Sequence, residues 1–346
     1  MKPCIYLDPS IFASPKPEDG IIAFLSYINN IISWSELVGA NWISIYISAL
    51  TEEILAQTNS YPLWKDLKDA ITGLAINDIH PREVVTLVDS LLLKTPTIED
   101  ETGILELLIC DFECIPSEYF SNRLSVYIEQ HNRLLALMSL SCEVLDKSEK
   151  DNILITCNTS NSRTEIAVTG QVIDIDFSNN HNNINIPYNI NSTFCACNSP
   201  HGLYTSVDPV EIWINALDED DYTKSIFVFL YQIINDLGNP EIDIDNYNWT
   251  IGPCFVSTVA ELGFKSQPSK VRMLLRAISE TVLKLNLSDT HWLRTGEGAN
   301  DPQREINNKK AWRRDIDHCF HLHYWETEAG PEFASIVTHN DMSIPN

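Results

Sequence analysis

Three short apolar runs, Ile5-Tyr6-Leu7, Trp42 to Ile47 and Asn152 to Thr156, are separated by stretches of helical periodicity, and this order constrains the first part of the chain more than any other feature. Short strands that alternate with helices run parallel, because a parallel pair needs a crossover of about a dozen residues or more. The punctuation agrees. Asp8-Pro9-Ser10 turns the chain out of the first strand, and Pro17-Glu18-Asp19 opens a helix that continues through Leu37 and stops at Gly39. Thr51 is placed as a cap for the next helix, with Glu52 and Glu53 favoured by the dipole of its first turn. Pro62 to Leu145 reads as mostly helical: Pro81 to Leu93, Glu99 to Phe112, and Ser117 to Leu145 with Leu124, Ile128, Leu134, Leu135 and Met138. The expectation is a helix-rich α/β domain.

Residues 165–177 alternate around Gly170 as a hairpin would. Asparagines then crowd positions 179 to 191, and residues 178–207 read as a loop or linker between an acidic α/β domain at 1–177 and a second domain at 208–346. Asp208-Pro209 starts a helix, a second runs over 222–237 and is closed by Gly238 and Pro240, and the clearest helix follows Ser266-Gln267-Pro268. Its apolar face carries Val271, Leu274, Leu275, Ile278, Val282 and Leu285. After that the period changes to two. His291 to Thr295, Ala311 to Asp317, Cys319 to Trp325 and Glu332 to His339 predict a small antiparallel sheet.

Composition narrows the function classes. Residues 265–346 hold 11 Lys and Arg against 11 Asp and Glu, so the formal charge of −25 falls entirely on residues 1–264. Such a surface repels phosphate backbones and suits a basic protein partner, including one met by nucleic-acid mimicry. No apolar run is long enough to cross a bilayer, and the first residues lack the apolar core and cleavage site of a signal peptide, which predicts a soluble, cytoplasmic chain with no membrane role. Nine scattered cysteines read as reduced thiols; the Cys195-Ala196-Cys197-(x3)-His201 cluster lacks the second pair of a structural zinc site. P-loop, GxGxxG, GxSxG and HExxH patterns are absent.

Between Arg304 and Arg314 five cations, Arg304, Lys309, Lys310, Arg313 and Arg314, face one Glu305, and four of the nine histidines (His318, His321, His323 and His339) follow closely. His291-Trp292-Leu293-Arg294-Thr295-Gly296, Trp312-Arg313-Arg314-Asp315-Ile316, His321-Leu322-His323-Tyr324 and the late His339 resemble motifs of the RelE-like toxin superfamily, in particular its YoeB and HigB branches. The resemblance covers about residues 268–346, with Asn340 in place of a terminal tyrosine and His321 in place of an arginine. It implies an mRNA endonuclease of a bacterial toxin or anti-phage system. Cleavage by 2′-hydroxyl attack needs a base, an acid and cations for the phosphorane charge. Arg314, Arg313, His339, His321 and His323 are the candidate catalytic residues, and Arg304, Lys309 and Lys310 the candidate RNA contacts. Because strand side chains alternate, only one of Arg313 and Arg314 reaches a shared face, and Arg314 is taken as the phosphate ligand. The competing expectation is that Arg313 and Arg314 pair with surplus carboxylates of the N-terminal region and so dock the two halves of the chain.

A second resemblance covers residues 1 to about 160. Ile5-Tyr6-Leu7-Asp8, Ile43 to Ile47 running into Ser48 to Glu53, and Ile153-Leu154-Ile155-Thr156-Cys157-Asn158 look like the strand-end motifs of PIN-like nucleases, with Asn158 where that family has aspartate. It implies that Asp8, Glu53, Asp111 and Asp151 are candidate ligands for Mg2+ or Mn2+, hard cations that take oxygen donors.

Overall fold

The structure, a computed structural model, describes residues 2–76, 79–116, 125–145, 148–149, 152–157, 162–178, 184–238, 243–296, 298 and 301–346. The chain is of the α/β class and divides into two compact units, Met1–Ser206 and Val207–Asn346. Among the described residues no helix is long and apolar enough to cross a membrane.

Unit 1 runs β1 (Cys4–Leu7), α1 (Gly20–Leu37), β2 (Ser44–Ile47), α2 (Thr51–Gln57), α3 (Trp64–Gly73), α4 (Pro81–Lys94), α5 (Ile98–Thr102), β3 (Ile104–Ile115), α6 (Ser125–Val144), β4 (Asn152–Ile155), β5 (Arg163–Phe177), β6 (Tyr188–Cys197) and α7 (Pro200–Ser206). Its sheet has the order β2-β1-β4-β6-β5-β3. The first four of these strands pair in parallel, while β6-β5 and β5-β3 are antiparallel. The central strands are short and apolar because both faces are covered; all four residues of β1 and of β4 are buried. Leu134 to Leu140 of α6 pack on one face with Tyr6, Leu154, Ile166 and Phe194. Tyr6 keeps its hydroxyl satisfied through Asn152 Oδ1 at 3.0 Å and Ser141 Oγ at 3.1 Å.

Three expectations are corrected here. The helix expected over 99–112 is a single turn, stopped by Gly103 in the left-handed region (φ 70°), after which Ile104–Ile115 forms the edge strand β3. The hairpin expected around Gly170 is one continuous strand of 15 residues. Gly170 serves close approach instead: a Cβ there would lie 3.0 Å from the Phe112 ring of β3. The linker expected at 178–207 contains β6 and α7. In β6, Ile190, Ser192, Phe194 and Ala196 are buried and Asn189 and Asn191 lie on the outer face, so these two asparagines mark one side of a strand, while Asn185 precedes it outside any strand. Residues 117–124 and 179–183 lie outside the described residues.

Unit 2 runs α8 (Pro209–Ile214), α9 (Glu219–Leu237), β7 (Thr250–Ile251), α10 (Phe255–Glu261), α11 (Pro268–Val282), β8 (Thr290–Trp292), β9 (Glu305–Ile306), β10 (Lys309–Asp315), β11 (Phe320–Thr327) and β12 (Gly330–Thr338). Asp208 and Asp218 cap α8 and α9 with their carboxylates. The strand order is β7-β12-β11-β10-β8, with β9 on β10. One sheet face, including Leu322, Tyr324, Phe333 and Ile336, packs on the buried faces of α9, α10 and α11. Leu293, Ala311, Trp325 and Ala334 form a smaller cluster, over which Met342 and Ile344 of the C-terminal tail pack.

Candidate active site

Strand alternation decides what each residue of β10 can touch. Arg313 and Asp315 share one face, and Trp312 and Arg314 share the other. In register, Arg313 lies opposite His323 of β11 and His291 of β8, and Asp315 opposite His321. Four titratable or cationic side chains are therefore gathered around Arg313 by pairing alone.

Arg314 faces the helices and is fully buried. Its guanidinium pairs with Glu280 of α11 and donates to the carbonyls of Leu285 (3.0 Å) and Asn286 (3.3 Å) and to Thr290 Oγ1 (3.2 Å). Arg314 thus ties the end of α11 to the sheet and is removed from the candidate phosphate ligands. The expectation erred by choosing the wrong parity on one strand. Arg313 takes the exposed side: it lines an open groove, with Nη1 3.8 Å from Met342 Sδ, and among the described residues no carboxylate bonds to it.

The groove has a volume of about 760 Å³ and runs along β8, the edge strand, so that it gathers residues from both sheet faces: His291 and Arg313 from one, Trp292 and Trp312 from the other, with Arg294 and His339 also in its lining. Trp292 is 58% exposed and meets Trp312 edge to face, with centroids 6.4 Å apart. His339 follows β12 and is positioned by its own N–H, which donates to Cys319 O at 2.8 Å. Its Nδ1 lies 3.0 Å from Nε2 of the buried His321, and that same Nε2 lies 3.1 Å from Asp315 Oδ1. Burial pushes the His321 pKa down, against the pull of Asp315, so the ring is neutral near pH 7. The network assigns the proton: His321 Nε2–H faces both Asp315 and His339 Nδ1, which leaves His339 with its proton on Nε2. His291 turns its Nε2 toward the other Asp315 oxygen at 3.9 Å. One exposed imidazole, His339, is thereby held to Asp315 through His321, and a second, His291, lies near the same carboxylate without a hydrogen bond to it.

The other expected residues of this segment separate. His323 is fully buried under the tail, its Nδ1–H donates to Ser343 O at 2.7 Å, and burial pushes its pKa down to about 4. It is a structural imidazole. Arg304 donates to Met342 O at 3.1 Å and so anchors the tail, and Lys309 pairs with Glu332 at 2.5 Å. Lys310 is exposed, opposite Glu326 in the register. His291, Arg294, Asp315 and the Trp292–Trp312 pair were not singled out as site residues, although the two-residue spacing of Arg313 and Asp315 already places them on one face.

In unit 1 the described expected carboxylates, Asp8, Glu53 and Asp111, lie in separate places. Asp8, at the end of β1, is 1% exposed and uses both oxygens: Oδ1 accepts from Ser10 N at 2.9 Å, and Oδ2 lies 2.7 Å from His131 Nδ1 of α6. Glu53 is exposed on α2 and accepts from Gln57 at 2.8 Å. Asp111 sits on β3, separated from β1 by β4, β6 and β5. Asp151 and Asn158 lie outside the described residues. The buried acid beside β2 is instead Glu99, which accepts from Ser48 Oγ and Ala49 N, both at 2.9 Å, and pairs with Arg133. A Mg2+ or Mn2+ ion needs several oxygens aimed at one point, and Asp8, Glu53 and Asp111 do not supply them. Among the described residues, the donors close enough together for a metal are Asp317, His318 and Cys319 in the β10–β11 turn.

A crevice of about 940 Å³ opens where β1, β4 and β6 end, the usual place for ligands in a parallel sheet. Its described lining mixes apolar residues such as Ile11 and Ala23 with the hydroxyls and amides of Ser10, Asn29, Tyr127 and Asn198 and the carboxylate of Asp19, with no Lys or Arg among the described residues. No family model, curated protein or solved structure matches this chain.

Proposed function

We propose that unit 2 is an RNA-directed, metal-independent phosphodiester-cleaving module, of the kind used in bacterial toxin or anti-phage effectors. The observation that carries this reading is the hydrogen-bonded series Asp315–His321–His339 opening on a groove that also holds Arg313, Arg294 and His291. In this reading His291 takes the proton of the 2′-hydroxyl and passes it to solvent, while the Nε2–H of the neutral His339 donates a hydrogen bond to the departing 5′-oxygen, which takes its proton from solvent water. Arg313, to which no carboxylate bonds among the described residues, neutralises the charge that develops on the pentavalent phosphorus. Trp292 provides a face for a base, an interaction that every base can make and that suits single strands. The RelE-like resemblance of residues 268–346 agrees with this assignment, with Arg313 in place of Arg314. The PIN-like resemblance is kept only as a proposal for the fold of unit 1, without a metal site.

A second reading has one supporting observation. All of the net charge lies on residues 1–264, so the chain is also suited to hold a basic protein, and the cleaving unit would then be delivered by that partner.

The experiment is cleavage of a labelled single-stranded RNA by the full chain in excess EDTA, alone and with ribosomes. Cleavage that is abolished by a 2′-deoxy residue at the cut site and lowered at least a hundredfold by His339→Gln supports the proposal. Absence of cleavage in both conditions, or cleavage that requires Mg2+, rejects it.

A further inference from the structure

Cys195 and Cys197 lie on β6 two residues apart, with their sulphurs 3.8 Å from each other. Ser206, the last residue of α7, reaches both: its Oγ is 3.3 Å from Cys195 Sγ and 3.5 Å from Cys197 Sγ. This closeness depends on Gly202, where a Cβ would lie 1.9 Å from Ser162 O and 3.1 Å from the Cys197 Cβ. Arg163, the first residue of β5, is opposite Cys197 in the register, and its guanidinium acts on Cys195. Cys197 is fully buried, whereas Cys195 is partly exposed.

The two thiols are not equivalent. A thiolate is the nucleophilic form of cysteine, and hydrogen-bond donors and cations stabilise it. The hydrogen bond from Cys197 pushes the Cys195 pKa down, helped by Ser206 and Arg163 and opposed by burial. The same contact pushes Cys197 up. One sulphur is thus prepared to attack and its neighbour keeps a proton to release later.

We propose that Cys195 and Cys197 form a peroxide-reactive dithiol. The Cys195 thiolate attacks one oxygen of a hydroperoxide, the O–O bond breaks, and the other oxygen leaves as an alcohol, or as water from hydrogen peroxide, after taking a proton. Cys195 is then a sulfenic acid. The Cys197 sulphur attacks the Cys195 sulphur, the S–O bond breaks and water leaves with the Cys197 proton. Two thiols have lost two hydrogens, and the peroxide has been reduced. Two residues of a strand span about 6.6 Å between Cα atoms, at the upper edge of what a disulfide bridges. The bond therefore forms under tension and is readily reduced, as reversible disulfides are. It also pulls on β6 where it pairs with Ile153 and Ile155 of β4.

The test treats the full chain with limiting hydrogen peroxide, blocks free thiols with N-ethylmaleimide and maps peptides by mass spectrometry. The peptide holding residues 195 and 197 is expected to lose two hydrogens before the exposed Cys157 or Cys319 is modified, and dithiothreitol is expected to restore it. With Cys197→Ser, dimedone is expected to trap sulfenic acid at residue 195; with Cys195→Ser, oxidation of this peptide slows at least tenfold. Oxidation of Cys157 or Cys319 while the pair stays reduced would overturn the proposal. So would an unchanged rate in Cys195→Ser, or no adduct at residue 195 in Cys197→Ser.

Discussion

Replacing Arg314 by leucine separates a structural arginine from a catalytic one. The substitution removes the partner of Glu280 from a buried pair, which costs about 3–5 kcal/mol because the remaining charge is left without compensation. It also takes donors from the carbonyls of Leu285 and Asn286 just beyond α11, which would then rely on water. A loss of about 4 kcal/mol corresponds to a fall of about 14 °C in the melting transition of a unit of this size. Scanning calorimetry of the full chain measures it. Removing both charges with Arg314→Met and Glu280→Met should recover more than half of the loss, since the pair contributes less to stability than either unpaired charge takes away. If Arg314→Leu melts within about 1 °C of the wild type while RNA cleavage disappears, the assignment of Arg313 to the groove and Arg314 to the core is wrong.

Three further outcomes are expected. His323 is held neutral by burial with a pKa near 4, below that of the unfolded chain, so the unfolded state binds the extra proton between these values and stability is lost as pH falls through that window. Urea titrations at pH 7 and pH 5 should differ by about 2 kcal/mol for unit 2, and His323→Gln should flatten this slope. Asp8→Ala leaves His131 without its carboxylate and should lower the stability of unit 1 by about 3 kcal/mol, while the rate of RNA cleavage per folded molecule stays unchanged; a fall in that rate would return the chemistry to unit 1. Trp292→Ala, at an exposed position, should weaken single-stranded RNA binding about 5- to 150-fold, the range expected for one lost stacking contact, without moving the melting curve.

The α/β class, the parallel order of the first strands and the final antiparallel meander were legible because each rests on local periodicity: Ile5-Tyr6-Leu7, the face of α11 from Val271 to Val282, and the alternation in β11 and β12. The edge strand β3 was not, because Leu107, Leu108 and Ile109 satisfy a helical period as well as a strand that packs on one side, and only Gly103 signals the break. The asparagines of β6 hid a strand whose inner residues are apolar or small. At the site, the segment rich in cations and histidines was legible as a region, but the roles within it depend on facts that spacing does not carry. Parity put Arg314 inside, the tail covered His323, and sheet register brought His291 to Arg313. Asp8 looked like a metal ligand because it ends a strand; its partner His131 comes from a helix far away in sequence.

The most direct test is photo-crosslinking of a 2′-O-methyl oligonucleotide carrying 4-thiouridine, which binds without being cut, followed by peptide mapping. Adducts on the peptides that hold His291–Arg294, Trp312–Arg313 and His339, diminished by Arg313→Ala, are the predicted result. Adducts confined to residues 1–206, or none above a bulk-protein control, would contradict the account.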